Sequence, residues 1–170
     1  MGIKVGETGL EYEPLSVQRL FADNQYYLVP RYQRGFAWGR EEILELLDDI
    51  DEAKLEFSDE AYLLGQIIAC PAASANLSLK NDILQWDLID GQQRCTSLYI
   101  LLIVAHQILV TSESPEGHTI EPYKIAVREM MRKVPSKDQK SYFPRIRTAS
   151  NGEEILNKYL NSEPLPESDG

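Results

Sequence analysis

At 170 residues and 19.4 kDa, the chain is the size of one ordinary domain, large enough to bury a core without disulfides and too small for two full catalytic domains. Its hydrophobic share of 43% and charged share of 26% are those of a soluble globular protein. The 27 acidic against 17 basic residues give a net charge of -10, which argues against a DNA-coating protein as long as the charge is evenly spread. The longest apolar run, Leu98 to Ala105, falls short of the ~20 residues of a membrane span. Met1 to Leu10 lack the basic start and apolar stretch of a secretory signal, so a cytoplasmic protein without membrane contact is expected. Cys70 and Cys95 stand in no CxxC or Cys/His spacing and read as reduced core thiols.

In chain order, Ser16 caps a short helix of about two turns, with Leu15 and Leu20 as a hydrophobic staple across the cap. Gln25 to Val29 is aromatic and β-branched, a strand stopped by Pro30, and Pro30 to Gly39 is a loop. From Arg40 to Phe57, Ile43, Leu46, Leu47, Ile50, Ala53 and Phe57 recur at helical spacing between acids, which predicts an amphipathic helix with an acidic outer face. Ala61 to Cys70 and Ile83 to Ile89 read as two strands of a hairpin, joined by a long tip over residues 71–82. After Asp90-Gly91, Gln92 to Val110 is apolar on nearly every face, the pattern of a central helix buried by its neighbours. Thr111 to Thr119 is a polar loop, Glu121 to Lys133 is helical, Ser141 to Arg147 is extended, and Gly152 to Leu160 is a last helix capped by Ser150 or Asn151. These elements define one domain over residues 1–160, with a core at 15–110, an extension at 119–160 and a linker or tail at 161–170. Few strands and an antiparallel hairpin favour an α+β class over a doubly wound one.

Two segments carry chemistry. In Trp86 to Leu98 (WDLIDGQQRCTSL), a strand passes through a glycine turn into a helix with a polar first turn. Free N–H groups there, with the helix dipole, suit an anion; Gly91 lets it approach and Arg94 clamps it bidentately. The alternative is structural: Asp90 caps the helix, Gln93 closes a capping box and Gly91 makes the turn. The second segment, Val29 to Trp38 (VPRYQRGFAW), places Arg31 and Arg34 among Tyr32, Phe36 and Trp38 in a loop expected to be mobile and polar. The arginines suit phosphate oxygens and the rings suit a base, or else the rings pin the loop to the core and the arginines bridge to the acidic helix.

VPRYQRGFAW, then an acidic amphipathic helix, YLLGQIIA, and WDLIDGQQRCTSLYILL, in that order and spacing from Ser16 to Val110, resemble the N-terminal domain of GmrS/GmrD-type restriction proteins. These are modification-dependent, type IV proteins related to the phosphorothioate-sensing SspE proteins, within the ParB/sulfiredoxin superfamily. Phe143-Pro144-Arg145-Ile146-Arg147 is similar to the proline-arginine segment that follows in that family. The resemblance implies a ParB/sulfiredoxin-like small mixed sheet packed with helices, its central helix following the DGQQR turn. It also implies binding and Mg²⁺-dependent hydrolysis of a nucleoside triphosphate, whether GTP, ATP, CTP or UTP. It places Asp90, Gly91, Gln92, Gln93 and Arg94 at the triphosphate and Arg31, Gln33 and Arg34 across the pocket. Asp90, Gln93 and Arg94 are then the catalytic candidates, and Asp90 is the metal ligand. No GxxxxGK[ST] occurs, so arginines and a helix N-terminus must do the work of a Walker lysine.

The family's full-length members carry a His-Asn-His nuclease domain, and this chain has only His106, in the apolar helix, and His118. Any nuclease belongs to another domain or chain of the same system. The expected partners are a nucleotide, that nuclease, a second copy of the chain, and DNA through the basic stretch of residues 124–147 (Lys124, Arg128, Arg132, Lys133, Lys137, Lys140, Arg145, Arg147). The enzyme reading, a nucleotide-hydrolysing sensor of an antiviral restriction system, stands beside a ParB-like DNA- or protein-binding module without hydrolysis. The charge fits both, because residues 35–60 hold ten acids and two bases while residues 101–150 are net positive.

Overall fold

The computed structural model describes residues 2–6, 9–22, 24–56, 62–72, 79, 82–114, 118–131, 134–135, 137–138, 142–148 and 156. It opens with two strands the sequence reading does not anticipate, β1 (Gly2–Gly6) and β2 (Gly9–Glu13), which pair antiparallel. Three of their residues are glycines, which local propensity assigns to turns, and pairing supplies the strand character instead. Helix α1 (Val17–Leu20) follows, about one turn rather than the two expected, with Ser16 Oγ accepting from the Arg19 N–H at 3.2 Å as the cap predicts and Leu20 buried. Strand β3 (Gln25–Leu28) runs into the expected loop.

Helix α2 (Arg40–Glu56) matches its prediction to within a residue. Its third residue, Glu42, reaches back to the Gly39 N–H at 2.8 Å, half of a capping box, and these main-chain donors hold its carboxyl below the usual range. Leu46 is buried and Ile50 packs on the core, whereas Leu47, counted in the apolar stripe, is exposed. Glu41, Glu42, Glu45, Asp48, Asp51 and Glu52 form the acidic outer face.

Strand β4 (Ile67–Pro71) is shorter than the segment predicted, because residues 62–66 approach it as an irregular stretch. Its pairing with β5 (Leu84–Asp90) is the antiparallel one expected, with Ala69 opposite Leu88 and an irregularity between Ile68 and Ala69. Helix α3 (Gln92–Thr111) follows, then α4 (Glu121–Met131), β6 (Val134–Pro135), β7 (Tyr142–Phe143) and β8 (Ile146–Arg147). The hairpin tip at residues 73–78, Phe57 and the predicted helix from Gly152 to Leu160, Leu156 apart, lie outside the described residues, as does 161–170.

The main sheet has the order β2-β1-β4-β5-β3-β8. The β1–β2 and β4–β5 pairs are antiparallel and the other three are parallel, which makes the sheet mixed and the fold α+β. One face contributes Tyr27, Ile67, Ala69, Leu88 and Ile146 to the core, joined by Cys95, Leu98, Tyr99 and Ile103 of α3. Tyr26, Leu79 and Ile83 form a smaller cluster apart from it.

Helix α3 departs from its prediction in one respect. By length and composition it is apolar enough to cross a bilayer, yet it packs into the core through its buried residues, which all fall between Gln92 and Ile103. Its C-terminal end is more open, with Ile108 55% and Val110 51% exposed, and the helix packs against α4. A sheet strand rising 3.3 Å per residue covers about half of a 20-residue helix in this arrangement.

Candidate functional site

The junction of β5 and α3 holds the DGQQR segment. Gly91 occupies the N-cap at φ 80, where a Cβ would lie 2.7 Å from the Gln66 carbonyl oxygen, so glycine is required both by conformation and by space. Asp90 Oδ1 accepts from the Gly91 N–H at 2.8 Å, and no side chain caps the helix. The first intrahelical bond is Cys95 N–H to Gly91 O, at 2.9 Å. Among the described residues the N–H groups of Gln92, Gln93 and Arg94 make no hydrogen bond. The capping alternative is thereby corrected: Asp90 bonds the turn rather than the helix, and Gln93 points elsewhere.

Gln93 points at the VPRYQRGFAW loop. Its Nε2 donates to Gly35 O (3.0 Å) while its Oε1 accepts from the N–H groups of Ala37 (2.8 Å) and Trp38 (3.2 Å). Gln92 Nε2 donates to Arg34 O, and from the loop side Gln33 Nε2 donates to Ile89 O, each at 2.8 Å. The two glutamines of the turn are buried, so the loop expected to be mobile is instead latched to it by five hydrogen bonds. Between turn and loop opens a cleft of about 210 Å³, walled by Gln33, Arg34 and Trp38 on one side and Asp90 to Arg94 on the other. Arg31 is exposed and does not line it; Tyr32, 75% exposed, stands at the loop's tip.

Arg94 ties a third motif to these two. Its guanidinium lies 5.8 Å from the centroid of the Trp38 ring. On its other side is Gly65 of the LLGQI run, at φ +123, where a Cβ would come within 2.6 Å of Arg94 Cζ. The guanidinium occupies the place of the side chain Gly65 lacks. Among the described residues it makes no hydrogen bond or ion pair, although Glu42, Glu45 and Asp49 of α2 border an adjoining cleft with it.

The sequence pattern of the GmrSD restriction endonuclease N-terminal domain matches residues 17–169. The chain belongs to this family. No curated protein matches it. As a GmrSD N-terminal domain it is a restriction-system component, the nuclease being in a separate domain or chain.

Elsewhere in this GmrSD domain the expected surface is altered. Arg145, placed by sequence in a basic stretch facing DNA, is 1% exposed. Its Nε and Nη groups donate to the carbonyls of Met130 (3.0 Å), Ala22 (2.6 Å) and Glu129 (3.2 Å), with that of Gln25 at 3.5 Å. It is thus a structural strut between α4 and the α1–β3 turn, and is withdrawn from the stretch. Arg128, Lys137 and Arg147 are exposed and Lys124 partly so, while Arg132, Lys133 and Lys140 lie outside the described residues.

The cysteines are free, as read from the sequence, and burial pushes the Cys95 thiol up to about 12, which makes it inert. His106 sits on α3 with its Nε2 enclosed and unbonded, and burial, then the charge of Arg128, lower its pKa. Among the described residues no three His, Cys, Asp or Glu side chains converge as a metal site. Among the described residues lining the cleft, Asp90 is the one carboxylate, with one oxygen bonded to the Gly91 N–H; a Mg²⁺ ion that takes most of its ligands from phosphate and water fits such a donor set.

Proposed function

We propose that the DGQQR cleft binds the polyphosphate of a nucleoside triphosphate, and that its hydrolysis makes the domain a sensor regulating the nuclease of the restriction system. The observation that carries this reading is the uncapped start of a 20-residue helix, beside an arginine that makes no hydrogen bond or ion pair among the described residues. The N–H groups of Gln92 to Arg94 offer hydrogen bonds and the positive end of the dipole to one phosphate. Arg94 supplies a bidentate clamp and takes up charge developing on the transferred group, and Arg34 closes the opposite wall. Asp90 orients the attacking water or holds Mg²⁺, which when bound would neutralise and bridge phosphate oxygens. The amides of Gln92 and Gln93 are spent on the loop, which gives them the task of holding Gln33 and Arg34 against the turn.

Phosphate release from ATP, GTP, CTP and UTP with Mg²⁺, alongside thermal shifts with each nucleotide, tests the proposal. Selective stabilisation and turnover in the wild type, both lost in Arg94→Ala, are expected. Absence of binding by any of the four overturns it. The binding-module reading draws on exposed Arg128, Lys137 and Arg147. It predicts salt-dependent DNA binding indifferent to nucleotide.

A further inference from the structure

Beyond Arg94, on the side away from the DGQQR cleft, a second hollow runs between the α1 region and the stretch leading into β4. We propose that this groove receives the heterocyclic base of the nucleotide, an inference that rests on the polyphosphate reading of the cleft. The groove has a cavity volume of about 100 Å³.

Its chemistry is the complement of the cleft's. Leu15, Val17, Leu64, Ile67 and Leu98 supply an aliphatic lining, and the Tyr62 ring, 41% exposed, stands at the wall as a surface on which a planar heterocycle can lie. Among the described residues the one charged group lining the groove is Arg94, which is also a wall of the DGQQR cleft. The two hollows therefore meet at a single side chain, and a ligand with one apolar aromatic end and one polyanionic end matches the pair in order.

The seam between them is built to be passable. Arg94 has no hydrogen bond or ion pair to break among the described residues, so turning it toward a phosphate gives up only packing, against the Trp38 ring and over Gly65. Gly65 lies at the seam, lining the groove and touching the guanidinium; any larger residue would fill the passage that the base-bearing end must cross.

Affinities for the four nucleoside triphosphates and for inorganic tripolyphosphate, which has no base, separate this proposal from the one beneath it. Val17→Phe narrows the groove and Tyr62→Ala removes its aromatic wall, neither touching the DGQQR turn. Each is expected to weaken the preferred nucleotide about ten-fold while tripolyphosphate binding stays within about two-fold of wild type. Unchanged nucleotide affinity in both variants overturns the base subsite, as does an equal loss of tripolyphosphate, which would report general damage. If Val17→Phe does not fold by circular dichroism, Tyr62→Ala decides alone. Wild-type protein that binds neither ligand removes the polyphosphate reading itself, whereas tripolyphosphate binding as tight as that of every nucleotide removes only the groove.

Discussion

Arg94 and Arg145 look alike in the sequence, each following a turn-forming residue in a short motif, each a reasonable phosphate ligand. In the structure they are opposites. Arg145 is enclosed and its guanidinium donates to main-chain carbonyls from the α1–β3 turn and the end of α4. Arg94 is half-buried, has a ring beneath it, a glycine behind it and no bonded partner among the described residues. A guanidinium carries five donors in a fixed fork, and whether those donors are already consumed inside the fold separates a strut from a ligand-binding group.

The comparison makes its largest prediction at Arg145. Arg145→Ala leaves several buried carbonyls without donors and should cost about 3–5 kcal/mol in denaturant unfolding. Arg145→Lys, which keeps the charge but not the fork, should recover only part of it. A loss below about 1 kcal/mol for Arg145→Ala would break the contrast. Next in size is Gln93→Ala, which removes three hydrogen bonds between turn and loop and should cost about 1–3 kcal/mol, with faster amide exchange at Ala37 and Trp38. Unaltered protection at those amides would show that the loop holds itself in place.

Arg94→Ala should be the reverse of Arg145→Ala, costing less than about 1 kcal/mol, the contact with Trp38, while abolishing nucleotide-dependent thermal stabilisation. Equal destabilisation by the two alanine variants would make both arginines structural. The smallest effect is expected at His106. Because its folded-state pKa lies below the ordinary 6.5, its contribution to stability is complete above that value and is lost as pH falls from 6.5 toward the lowered one. His106→Gln should flatten the decline in melting temperature over that interval, and an identical pH profile would show that another group causes it.

Much of the framework was legible because its signals are local. Ser16 between Leu15 and Leu20, a helical stripe among acids, and a strand broken by Asp-Gly before an apolar run placed α1, α2, β5 and α3 to within a residue or two at most boundaries. The latch was not legible. A Gln-Gln pair reads as a polar first turn, and nothing in its spacing reveals that the amides bond a loop 55 to 58 residues distant. Gly65 did leave a trace, since a glycine in a strand-like apolar run marks a close approach, though not by what.

The sequence by itself determined the order of elements, the glycine at the turn, the acidic face of α2 and membership of the family, all of which depend on residue type and short spacing. Tertiary structure decided which donors remain free. It buried one arginine among carbonyls and left the other open, packed α3 through residues between Gln92 and Ile103 and left its C-terminal end more open, and brought three separate motifs to a single guanidinium. Hydrogen-bond satisfaction is a property of neighbours in space, and those neighbours are set by how the sheet and helices pack.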